Sequence, residues 1–507
     1  MVSLVEDDLT FECAVGRADQ IRREISPNLD PTKRRELGQF LTPSGVAAFM
    51  AGMFGQFPDH IRLLDAGAGV GALTASFVHE ACSRVKRPST IDVTAFEVDP
   101  LLAVHLETTL LACADECAAC GIEFYYRIMN DDYILHSSEP LLSAAPQYNC
   151  AIINPPYGKI NSNSKARTAL RRLGIETSNL YTAFIALAIG QLIQTGQLVA
   201  ITPRSFCNGR YFSSFRKSII TQSAIRQIHV YESRKRAFAD DDVLQENIIY
   251  RLVVGEPQST TVTVTSNSGP QDADIRLREV PFPEVVQPTD IHSYIHLALS
   301  DADGALAERV RAMPCSLRDL QVSVSTGRVV DFRAREHLYM KPQRDAVPLI
   351  YAEHFDQGFI VWPRLNGRKY CALAFNAATF GLLVPRGTYV LTKRFSSKEE
   401  KRRLVSVIYD PIRVEADYVG FENHLNYFHE NGQGLPATLA RGLALFLNST
   451  AVDQYFRQFS GHTQVNATDL CNLRYPTRKQ LIKLGDVFQN IFPPQDEIDE
   501  AVETLLN

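Results

Sequence analysis

The sequence predicts an α/β protein, with a seven-stranded, mainly parallel sheet in its first half and a second domain of mixed α/β structure. Three observations predict this fold. Between about residues 60 and 255, short apolar runs alternate with helical stretches, which is typical of βαβ units. One apolar run leads into a helix through a glycine-rich turn, as in nucleotide-binding sheets. The chain has 507 residues, which is too long for one compact domain.

The seven predicted strands are short apolar runs bounded by turn residues. Residues 255–274, which follow the last of them, are rich in Ser, Thr, Pro and Gly. Their TVTVT centre can form another strand, but the flanks are typical of a linker. We therefore assign residues 1–280 to the first domain and 281–507 to the second. The predicted strands are Ile61–Asp65, Val93–Glu97, Glu123–Ile128, Cys150–Asn154, Gln197–Thr202, Ile225–Tyr231 and Asn247–Val254.

Composition and charge indicate an ordinary globular protein and exclude some classes. The chain is 45% hydrophobic and 21% charged. No apolar run approaches the ~20 residues of a membrane helix, and the acidic start lacks the order of a signal peptide. We expect a cytoplasmic protein without membrane contact. The net charge of −5 does not indicate a nucleic-acid binder, but affinity for phosphates depends on where the cations lie.

Three cysteines have the spacing of an iron–sulfur motif, Cys113-x3-Cys117-x2-Cys120. The same stretch carries periodic leucines at 106, 110 and 111 and ends at Gly121, as a helix does. Short metal motifs often arise by chance. We therefore predict a helix with small residues on its packed face, and no metal site.

The glycine-rich turn IRLLDAGAGVGALTASF, residues 61–77, has the features of a ligand-binding loop. Glycines let the backbone approach a ligand closely, and the helix that follows favours negative charge at its N-terminus. Gly67, Gly69 and Ala72 also satisfy the dinucleotide fingerprint, so an NAD enzyme and a purely structural turn stay open at this point.

Acidic residues at the next two predicted strand ends favour a nucleoside ligand. Ligands of open α/β sheets bind at the carboxyl ends of the strands. Glu97 ends the second strand and can accept both hydroxyls of a ribose. Asp132 follows the third strand beside Tyr133, which suits an adenine amino group and a ring face.

The fourth strand ends in Asn154-Pro155-Pro156-Tyr157, which points to chemistry on a planar amino group. The two prolines stop the strand ladder and stiffen the turn. The Asn154 oxygen and the Pro155 carbonyl can accept hydrogen bonds from an –NH2 group, which draws its nitrogen towards a tetrahedral, nucleophilic geometry. Tyr157 offers a face for a flat base. An ordinary turn is the alternative, but the three preceding strand ends favour the functional interpretation.

These motifs, in this order, resemble those of the DNA adenine-N6 methyltransferases of the gamma (TaqI-like) class. RRELGQFLTP, residues 34–43, matches the N-terminal cofactor motif of that family, with Thr42 and Pro43 at the contacting position. Many members have Phe where this chain has Tyr133. The resemblance implies a Rossmann-like methyltransferase sheet, S-adenosylmethionine as the cofactor, double-stranded DNA as the partner and a C-terminal target-recognition domain.

Two further segments resemble the Eco57I-like and PstI/BsuBI-like modification enzymes: AITPRSFCNGRYFSSFR, residues 200–216, and GHTQVNATDL, residues 461–470. This likeness implies a prokaryotic type II restriction–modification methyltransferase. It would act on an adenine flipped out of a six-base palindrome, for which CTGCAG is the guess. A separate cognate restriction endonuclease is implied, with no stable protein partner required.

The site residues predicted from motifs and resemblance fall into three groups. Transfer is assigned to Asn154, Pro155, Pro156 and Tyr157. Cofactor binding is assigned to Thr42, Pro43, Asp65, Ala66, Gly67, Gly69, Gly71, Glu97, Val98, Asp132, Tyr133 and Asn154. DNA binding is assigned to Lys159, Lys165, Arg167, Arg210, Gln464 and Asn466, although Asn466 or Thr468 could simply cap a helix.

Other functions stay open on the sequence alone. Asn-Pro-Pro-Tyr also resembles the motif of protein glutamine methyltransferases and of some guanine-N2 RNA methyltransferases. Cytosine-N4 methylation is chemically adjacent, although that group more often has Ser in place of Asn154. Cytosine-C5 methylation needs a cysteine nucleophile, and Cys315 lacks the expected glycine-rich run before it. A catalytically inactive DNA-binding homologue is the remaining alternative, although every position needed for transfer is intact.

Overall fold

The computed structural model describes residues 13–30, 32, 38–139, 147–232, 246–270, 272, 274–364, 367–397, 399–488 and 491–506. The chain divides into two compact units. The first comprises Met1–Phe206 and Tyr211–Tyr294, and the second comprises Cys207–Arg210 and Ile295–Asn507. The division lies 14 residues beyond the boundary that we place at 280, and a tetrapeptide from the first half of the chain belongs to the second unit.

The described part of the first unit contains one nine-stranded sheet of order β3-β2-β1-β4-β5-β7-β6-β8-β9. The first five strands of that order are parallel, and β7 pairs antiparallel with both β5 and β6. The order reverses beside β1, so the loops after β1 and β4 emerge at one edge. The strands are His60–Ala66 (β1), Thr90–Phe96 (β2), Glu123–Met129 (β3), Tyr148–Ile153 (β4), Leu192–Pro203 (β5), Ser223–Tyr231 (β6), Asn247–Val254 (β7), Thr261–Asn267 (β8) and Arg276–Pro281 (β9).

All seven predicted strands are present, but the sheet has two more than the sequence predicts. The TVTVT run forms β8, parallel to β6, and the strand β9 pairs antiparallel with β8. Thr and Val are β-branched and favour strands. The sequence of β9, RLREVP, has charged residues in place of a regular alternation of apolar and polar residues, so the pattern does not predict a strand. Charged residues are common in strands at a sheet edge.

Helices of the first unit pack on the sheet, and two of those beside the candidate site begin at a residue that suits a helix start. Gly71 precedes α3 in a left-handed conformation (φ 86°), and the Asp99 carboxylate accepts the N–H of Leu101 at the start of α4. The helices are Ala14–Ile25 (α1), Ser44–Gly52 (α2), Ala72–Ser83 (α3), Pro100–Ala119 (α4), Tyr133–Ser137 (α5), Lys165–Arg172 (α6), Leu180–Gln191 (α7), Ser213–Gln222 (α8) and Phe282–Val285 (α9).

The three cysteines of the metal-like motif lie on and just after α4. Cys113 and Cys117 are fully buried in the apolar core, and Gly121 follows the helix with φ 74°. The predicted helix is therefore confirmed, except that the leucine at 111 is exposed and those at 106 and 110 are buried. Among the described residues, no group of three or more His, Cys, Asp or Glu side chains is arranged to hold a metal ion. Nor does any described helix have the length and apolarity to span a membrane.

The core of the first unit packs α1 to α4 against one face of the parallel strands. Phe77 of α3, Leu106 of α4, Leu63 of β1 and Ile152 of β4 are all buried. Burying each such side chain contributes about 1.5–3 kcal/mol relative to exposure. The packing fixes the strand ends from which the candidate site is built.

The second unit combines a six-stranded sheet, β10-β20-β17-β18-β14-β13, with a five-stranded sheet, β11-β15-β12-β19-β16. Its strands are Ser323–Thr326 (β10), Leu338–Tyr339 (β11), Ala346–Ile350 (β12), Phe355–Asp356 (β13), Phe359–Ile360 (β14), Ala372–Ala374 (β15), Leu383–Pro385 (β16), Tyr389–Lys393 (β17), Ser406–Tyr409 (β18), Tyr418–Phe421 (β19) and Leu425–His429 (β20). Its helices are Asp301–Arg311 (α10), Asp331–Ala334 (α11), Ala437–Leu447 (α12), Thr450–Phe459 (α13), Ala467–Cys471 (α14), Arg478–Val487 (α15) and Gln495–Leu506 (α16).

Candidate cofactor and base-binding site

The loop after β1 is a tight glycine turn held against the end of β2. The N–H groups of Gly67 and Ala68 both donate to the carbonyl of Phe96, at 2.9 and 2.8 Å. Gly67 and Gly69 adopt φ angles of 81° and 57°, which favour glycine. A Cβ on Gly69 would lie 3.0 Å from the Leu41 side chain. The turn therefore requires glycine for its backbone path as well as for close approach by a ligand.

Glu97 is a buried carboxylate that anchors this turn. Its Oε2 accepts the N–H of Gly69 and its Oε1 accepts the N–H of Asp99, both at 2.8 Å. Burial raises the pKa of Glu97 above its ordinary value. A carboxylate has about four lone-pair positions. The N–H groups of Gly69 and Asp99 occupy two of them, and the N–H of Val98 also interacts with the carboxylate, so acceptor capacity remains for a ligand hydroxyl.

Asp65, at the end of β1, is fully buried and only half satisfied. Its Oδ2 accepts the hydroxyl of Thr74 at 2.7 Å, while Oδ1 has no hydrogen-bond partner among the described residues. Burial raises the pKa of Asp65 to about 7. A buried oxygen without a donor is uncommon in folded proteins. Asp65 directly precedes the glycine turn, is closed off from solvent and does not line the cavity described below.

The third strand end carries two adjacent carboxylates with different contacts. Asp132 caps α5, because its Oδ1 accepts the N–H groups of Ile134 and Leu135 at 2.8 and 3.0 Å. Asp131, one residue earlier, lines the cavity described next, and its Oδ2 lies 3.1 Å from Nδ1 of His136. The sequence pattern does not reveal which of two neighbouring acids caps the helix. For that reason the predicted cofactor residues include Asp132 and not Asp131.

Residues at the three strand ends line one open cleft, which holds about 550 Å³ of space when the solvent at its mouth is included. The Tyr133 ring forms part of its wall, 5.0 Å from the Phe96 ring and 4.9 Å from the Phe184 ring. Of the predicted cofactor residues, those in the lining are Gly67, Gly69, Glu97, Val98, Tyr133 and Asn154. Those outside the lining are Thr42, Pro43, Asp65, Ala66, Gly71 and Asp132. Gly38–Leu41, which belong to the predicted cofactor motif but are not named there as contacts, also line it. Leu102 and Phe184 line it too, and no sequence motif contains them.

Asn154 follows β4, and its amide has a defined orientation. Its Nδ2 donates to the carbonyl of Phe40 at 3.0 Å and to the hydroxyl oxygen of Thr42 at 2.9 Å. Its Oδ1 is 3.3 Å from the hydroxyl of Tyr157, a long contact. The side chain is 8% exposed. Both amide protons are therefore used by the protein, and Oδ1 is the atom left to accept a hydrogen bond at the cavity.

Tyr157 is half-buried and lies against the segment Gly38–Thr42. Its N–H donates to the Gly38 carbonyl at 3.1 Å, and its ring lies 5.3 Å from the Phe40 ring. Gly38 has φ 63°, and a Cβ there would lie 2.2 Å from the Tyr157 carbonyl oxygen. The sequence predicted this segment as a cofactor motif and did not predict its contacts with Asn154 and Tyr157. Residues 34–37 of that motif lie outside the described residues.

The basic residues after β4 are not equally available to a phosphate. Lys159 and Lys165 are exposed. The Arg167 guanidinium is 2.8 Å from the carboxylate of Glu176, and the side chain is only 13% exposed. Arg167 is thus engaged in an ion pair, which makes it the weaker candidate for contact with DNA.

In the second unit the structure brings Arg210 near the GHTQVNATDL segment. Asn208, from the tetrapeptide that carries Arg210, accepts the N–H of Gly461 at 3.1 Å. Arg210 is exposed and Gln464 is half-buried. Asn466 precedes α14 and donates from its N–H and its Nδ2 to Oδ2 of Asp469, at 3.0 and 3.1 Å. The helix-capping alternative is therefore the arrangement that Asn466 adopts.

Two exposed side chains beside Gln464 were missed by sequence reasoning. Phe395 forms a backbone bridge with Gln464 and is 38% exposed. The His424 ring lies 4.7 Å from the Phe395 ring, and its Nδ1 is 2.7 Å from the buried carboxylate of Glu422. Neither residue belongs to a motif, and only the folding of β17, β20 and α14 brings them together.

Comparisons with known proteins agree with this geometry. Residues 122–238 match the protein family described as Eco57I restriction-modification methylase. The chain is 46% identical to the type II methyltransferase M.PstI of Providencia stuartii over 490 residues, which cover 96% of each chain. It is 42% identical to the type II methyltransferase M.BsuBI of Bacillus subtilis over 498 residues, covering 96% of this chain and 97% of that one.

Solved structures with a similar fold are more distant in sequence. The type IIL restriction-modification enzyme MmeI in complex with DNA superposes with a TM-score of 0.55 at 11% identity, over 96% of this chain and 73% of that one. The DrdV–DNA complex gives a TM-score of 0.51 at 13% identity, over 94% and 59%. At these identities the likeness concerns the fold alone.

Proposed function

The chain belongs to the family of type II restriction–modification methyltransferases, and from that premise we propose that it methylates the N6 amino group of adenine in double-stranded DNA. The enzymes of this family act on DNA and use S-adenosylmethionine. The observation that carries the choice of an amino group is the orientation of Asn154. Its two amide protons bind protein oxygens, so that Oδ1 can only accept.

The residues of the cavity fit S-adenosylmethionine, which supplies an electrophilic methyl group when it is bound. We assign the ribose hydroxyls to Glu97, whose oxygens keep free acceptor positions. The glycine turn lets the ligand approach the protein backbone closely. We assign Asp65, which is buried outside the cavity lining, a supporting role, because it joins the end of β1 to α3 through the Thr74 hydroxyl. We assign the adenine ring to the wall formed by Tyr133 and Phe184.

The adenine amino group of the cofactor has two possible acceptors, Asp131 and Asp132. Asp131 lines the cavity, whereas Asp132 uses Oδ1 to cap α5 and retains Oδ2. We keep both in the proposal. Asp131→Asn and Asp132→Asn form a matched pair, and the variant with the larger loss of S-adenosylmethionine affinity in calorimetry identifies the contact.

The mechanism that we propose uses hydrogen-bond acceptors and a stacking ring. Asn154 Oδ1 and the Pro155 carbonyl accept the two protons of the target amino group, which turns its lone pair towards the cofactor. Pro155 and Pro156 keep that turn stiff. Tyr157 stacks on the flipped base and offsets part of the cost of unstacking, which is a few kcal/mol. The methylated amino group is positively charged after transfer, and it then releases one of its protons to solvent.

DNA binding in this proposal involves exposed cations of both units. Lys159, Lys165 and Arg210 are exposed and can neutralise phosphates, which is where most sequence-independent affinity originates. We assign base reading to the surface around Gln464 and expect Asn466 to act mainly through its helix cap. We keep a six-base palindrome, CTGCAG, as the proposed site, as the resemblance of the sequence motifs to those of the PstI/BsuBI-like modification enzymes implies.

The direct test identifies the methylated nucleoside. Purified protein is incubated with duplex DNA and S-adenosylmethionine labelled in the methyl group, and the DNA is digested and separated. We expect the label in N6-methyl-2′-deoxyadenosine. Label in N4-methylcytosine would refute the choice of base. Label in added RNA or in a glutamine-bearing protein, with none in DNA, would favour the related amino-group methyltransferases instead. Absence of transfer despite DNA binding would identify an inactive homologue.

A further inference from the structure

The segment Gly38–Thr42 has two sides with different neighbours. Gly38, Gln39, Phe40 and Leu41 line the candidate cofactor cavity. The same segment receives both amide protons of Asn154, one on the Phe40 carbonyl and one on the Thr42 hydroxyl. Thr42 itself is 6% exposed and does not line the cavity. Its hydroxyl is therefore in direct contact with the Asn154 amide.

An asparagine amide can turn by 180° with little change in shape, exchanging its oxygen for its NH2 group. The turned amide would present donors to a target amino group that is itself a donor. Two acceptors on the Nδ2 side disfavour that state, since both protons would lose their partners in a buried environment. One acceptor, the Phe40 carbonyl, belongs to the backbone. The other is the Thr42 hydroxyl, which is the one a substitution can remove.

We propose that Thr42 is a positioning residue, whose hydroxyl holds the Asn154 amide in the orientation that presents Oδ1 to the target base. This inference rests on the proposed function of Asn154 as the acceptor for the amino group. It differs from the role that the sequence motif implies for Thr42, which is direct contact with the cofactor. The two roles predict different measurements.

The test compares Thr42→Val, which has nearly the same shape and no hydroxyl, with Thr42→Ser, which keeps the hydroxyl. One net hydrogen bond is worth about 5- to 10-fold in an equilibrium. In single-turnover methylation with saturating DNA and cofactor, we expect Thr42→Val to be about tenfold slower than wild type and Thr42→Ser to recover most of the rate. Thr221→Val, an exposed position on α8, is the matched control and should not change the rate.

Calorimetry separates positioning from cofactor contact. We expect the Kd for S-adenosylmethionine to stay within about twofold of wild type in Thr42→Val, which also shows that the variant is folded. A Kd that weakens while the rate at saturation is unchanged would overturn the inference in favour of direct contact. An unchanged rate and an unchanged Kd would overturn it as well.

A measurement without turnover keeps this inference separate from the proposed function. The side-chain amide protons of Asn154, assigned by comparison with Asn154→Asp, report their hydrogen bonds in nitrogen–proton NMR spectra. We expect one of the two protons to shift upfield in Thr42→Val and not in Thr42→Ser. If neither proton shifts, Thr42 does not position the amide, whatever base the enzyme methylates. If the shift occurs but DNA adenine is not methylated, the proposed function fails and the positioning contact stands.

Discussion

Asn154 has polar contacts at both Nδ2 and Oδ1 of its amide. In the proposed chemistry Oδ1 is the atom that accepts a hydrogen bond from the target amino group. Nδ2 is fixed by the protein, whereas Oδ1 has only the 3.3 Å contact with the Tyr157 hydroxyl. Asn154→Ala removes the acceptor that strengthens as the amine becomes tetrahedral. We expect the single-turnover rate to fall by about 10²- to 10³-fold, as for the loss of one preorganised hydrogen bond in a transition state.

Binding distinguishes this loss from a general disruption of the site. Asn154→Ala leaves the glycine turn and the exposed lysines unchanged, so the Kd values for S-adenosylmethionine and for DNA should remain near those of wild type. A rate within threefold of wild type would contradict the catalytic role of Asn154. A large loss of cofactor affinity would show that the amide mainly supports the cavity.

Tyr157 should act through its ring. Its hydroxyl contact with Asn154 is long, whereas its ring adjoins the Phe40 ring. We expect Tyr157→Phe to keep most of the activity and Tyr157→Ala to weaken the flipped state, because base–aromatic stacking is worth about 1–3 kcal/mol. A 2-aminopurine at the target position brightens when it leaves the stack. Equal fluorescence responses from the Phe and Ala variants would rule out stacking on Tyr157.

Asp65 makes stability depend on pH in the cofactor-free protein. Its pKa is raised from an ordinary 3.8 to about 7, mainly by burial and further by the nearby Glu97. The folded state then holds a proton that the unfolded chain has lost, so the free energy of unfolding should fall as pH rises from about 4 to about 7.

Asp65→Asn is neutral throughout and serves as the comparison. Between pH 5 and pH 8 we expect wild type to lose on the order of 2–4 kcal/mol more stability than Asp65→Asn. Urea denaturation at both pH values measures the difference. The same pH dependence in both proteins would show that Asp65 is ionised in the folded state.

Elements formed by regular patterns could be predicted from the sequence, and those formed by tertiary contacts could not. The seven predicted strands and the cysteine-bearing helix α4 follow from apolar runs and periodicity. The edge strand β9 could not be predicted, because its charged residues conceal the alternation. The tetrapeptide Cys207–Arg210 joins the second unit through contacts with residues more than 80 positions later, for which no local pattern exists.

The candidate site shows the same division. Glycines, Glu97 and the Asn-Pro-Pro-Tyr turn have local signatures, and they lie in or beside one cavity. The contacts of Asn154 with Phe40 and Thr42 join positions more than 110 residues apart. The choice between Asp131 and Asp132 depends on which carboxylate caps α5, a difference of one residue that propensity does not resolve.

The loop before α14 offers a matched pair of variants, because its two predicted DNA residues have different contacts. Asn466 binds Asp469, whereas the Gln464 side chain is half-buried beside the exposed ring of Phe395. We expect Gln464→Ala to relax discrimination at one base pair by about 1–3 kcal/mol, measured as methylation of singly substituted sites. Asn466→Ala should instead lower the free energy of unfolding by about 1 kcal/mol and leave discrimination unchanged.

The opposite pattern would contradict this assignment. If Asn466→Ala relaxes discrimination and Gln464→Ala does not, Asn466 contacts a base in addition to capping α14, and Gln464 does not read the site. If neither variant changes the choice of site, the surface around Gln464 does not read bases, and the exposed residues elsewhere in the second unit must do so.

At the scale of the whole molecule, the proposed function assigns a different task to each unit: cofactor and base binding to the first, and recognition of the DNA site to the second. The first holds the cavity and the amide at the carboxyl ends of parallel strands. The second is a mixed α/β unit in which the tetrapeptide Cys207–Arg210 lies beside the GHTQVNATDL segment. The net charge of −5 is compatible with DNA binding, because affinity for phosphates depends on the positions of exposed cations such as Lys159, Lys165 and Arg210 and not on the total charge.

Sequencing of modified bases in DNA from bacterial cells that express the protein tests the central claim most directly. We predict N6-methyladenine at one adenine of a single six-base palindrome, CTGCAG, and after brief expression we expect a much smaller methylated fraction in cells with Asn154→Ala than in cells with wild type. Equal methylated fractions at early times would contradict the role of Asn154, and a different six-base site would correct only the proposed palindrome. Modified cytosine, or no modified base in DNA from cells with wild type, would contradict the assignment of the enzyme to adenine N6.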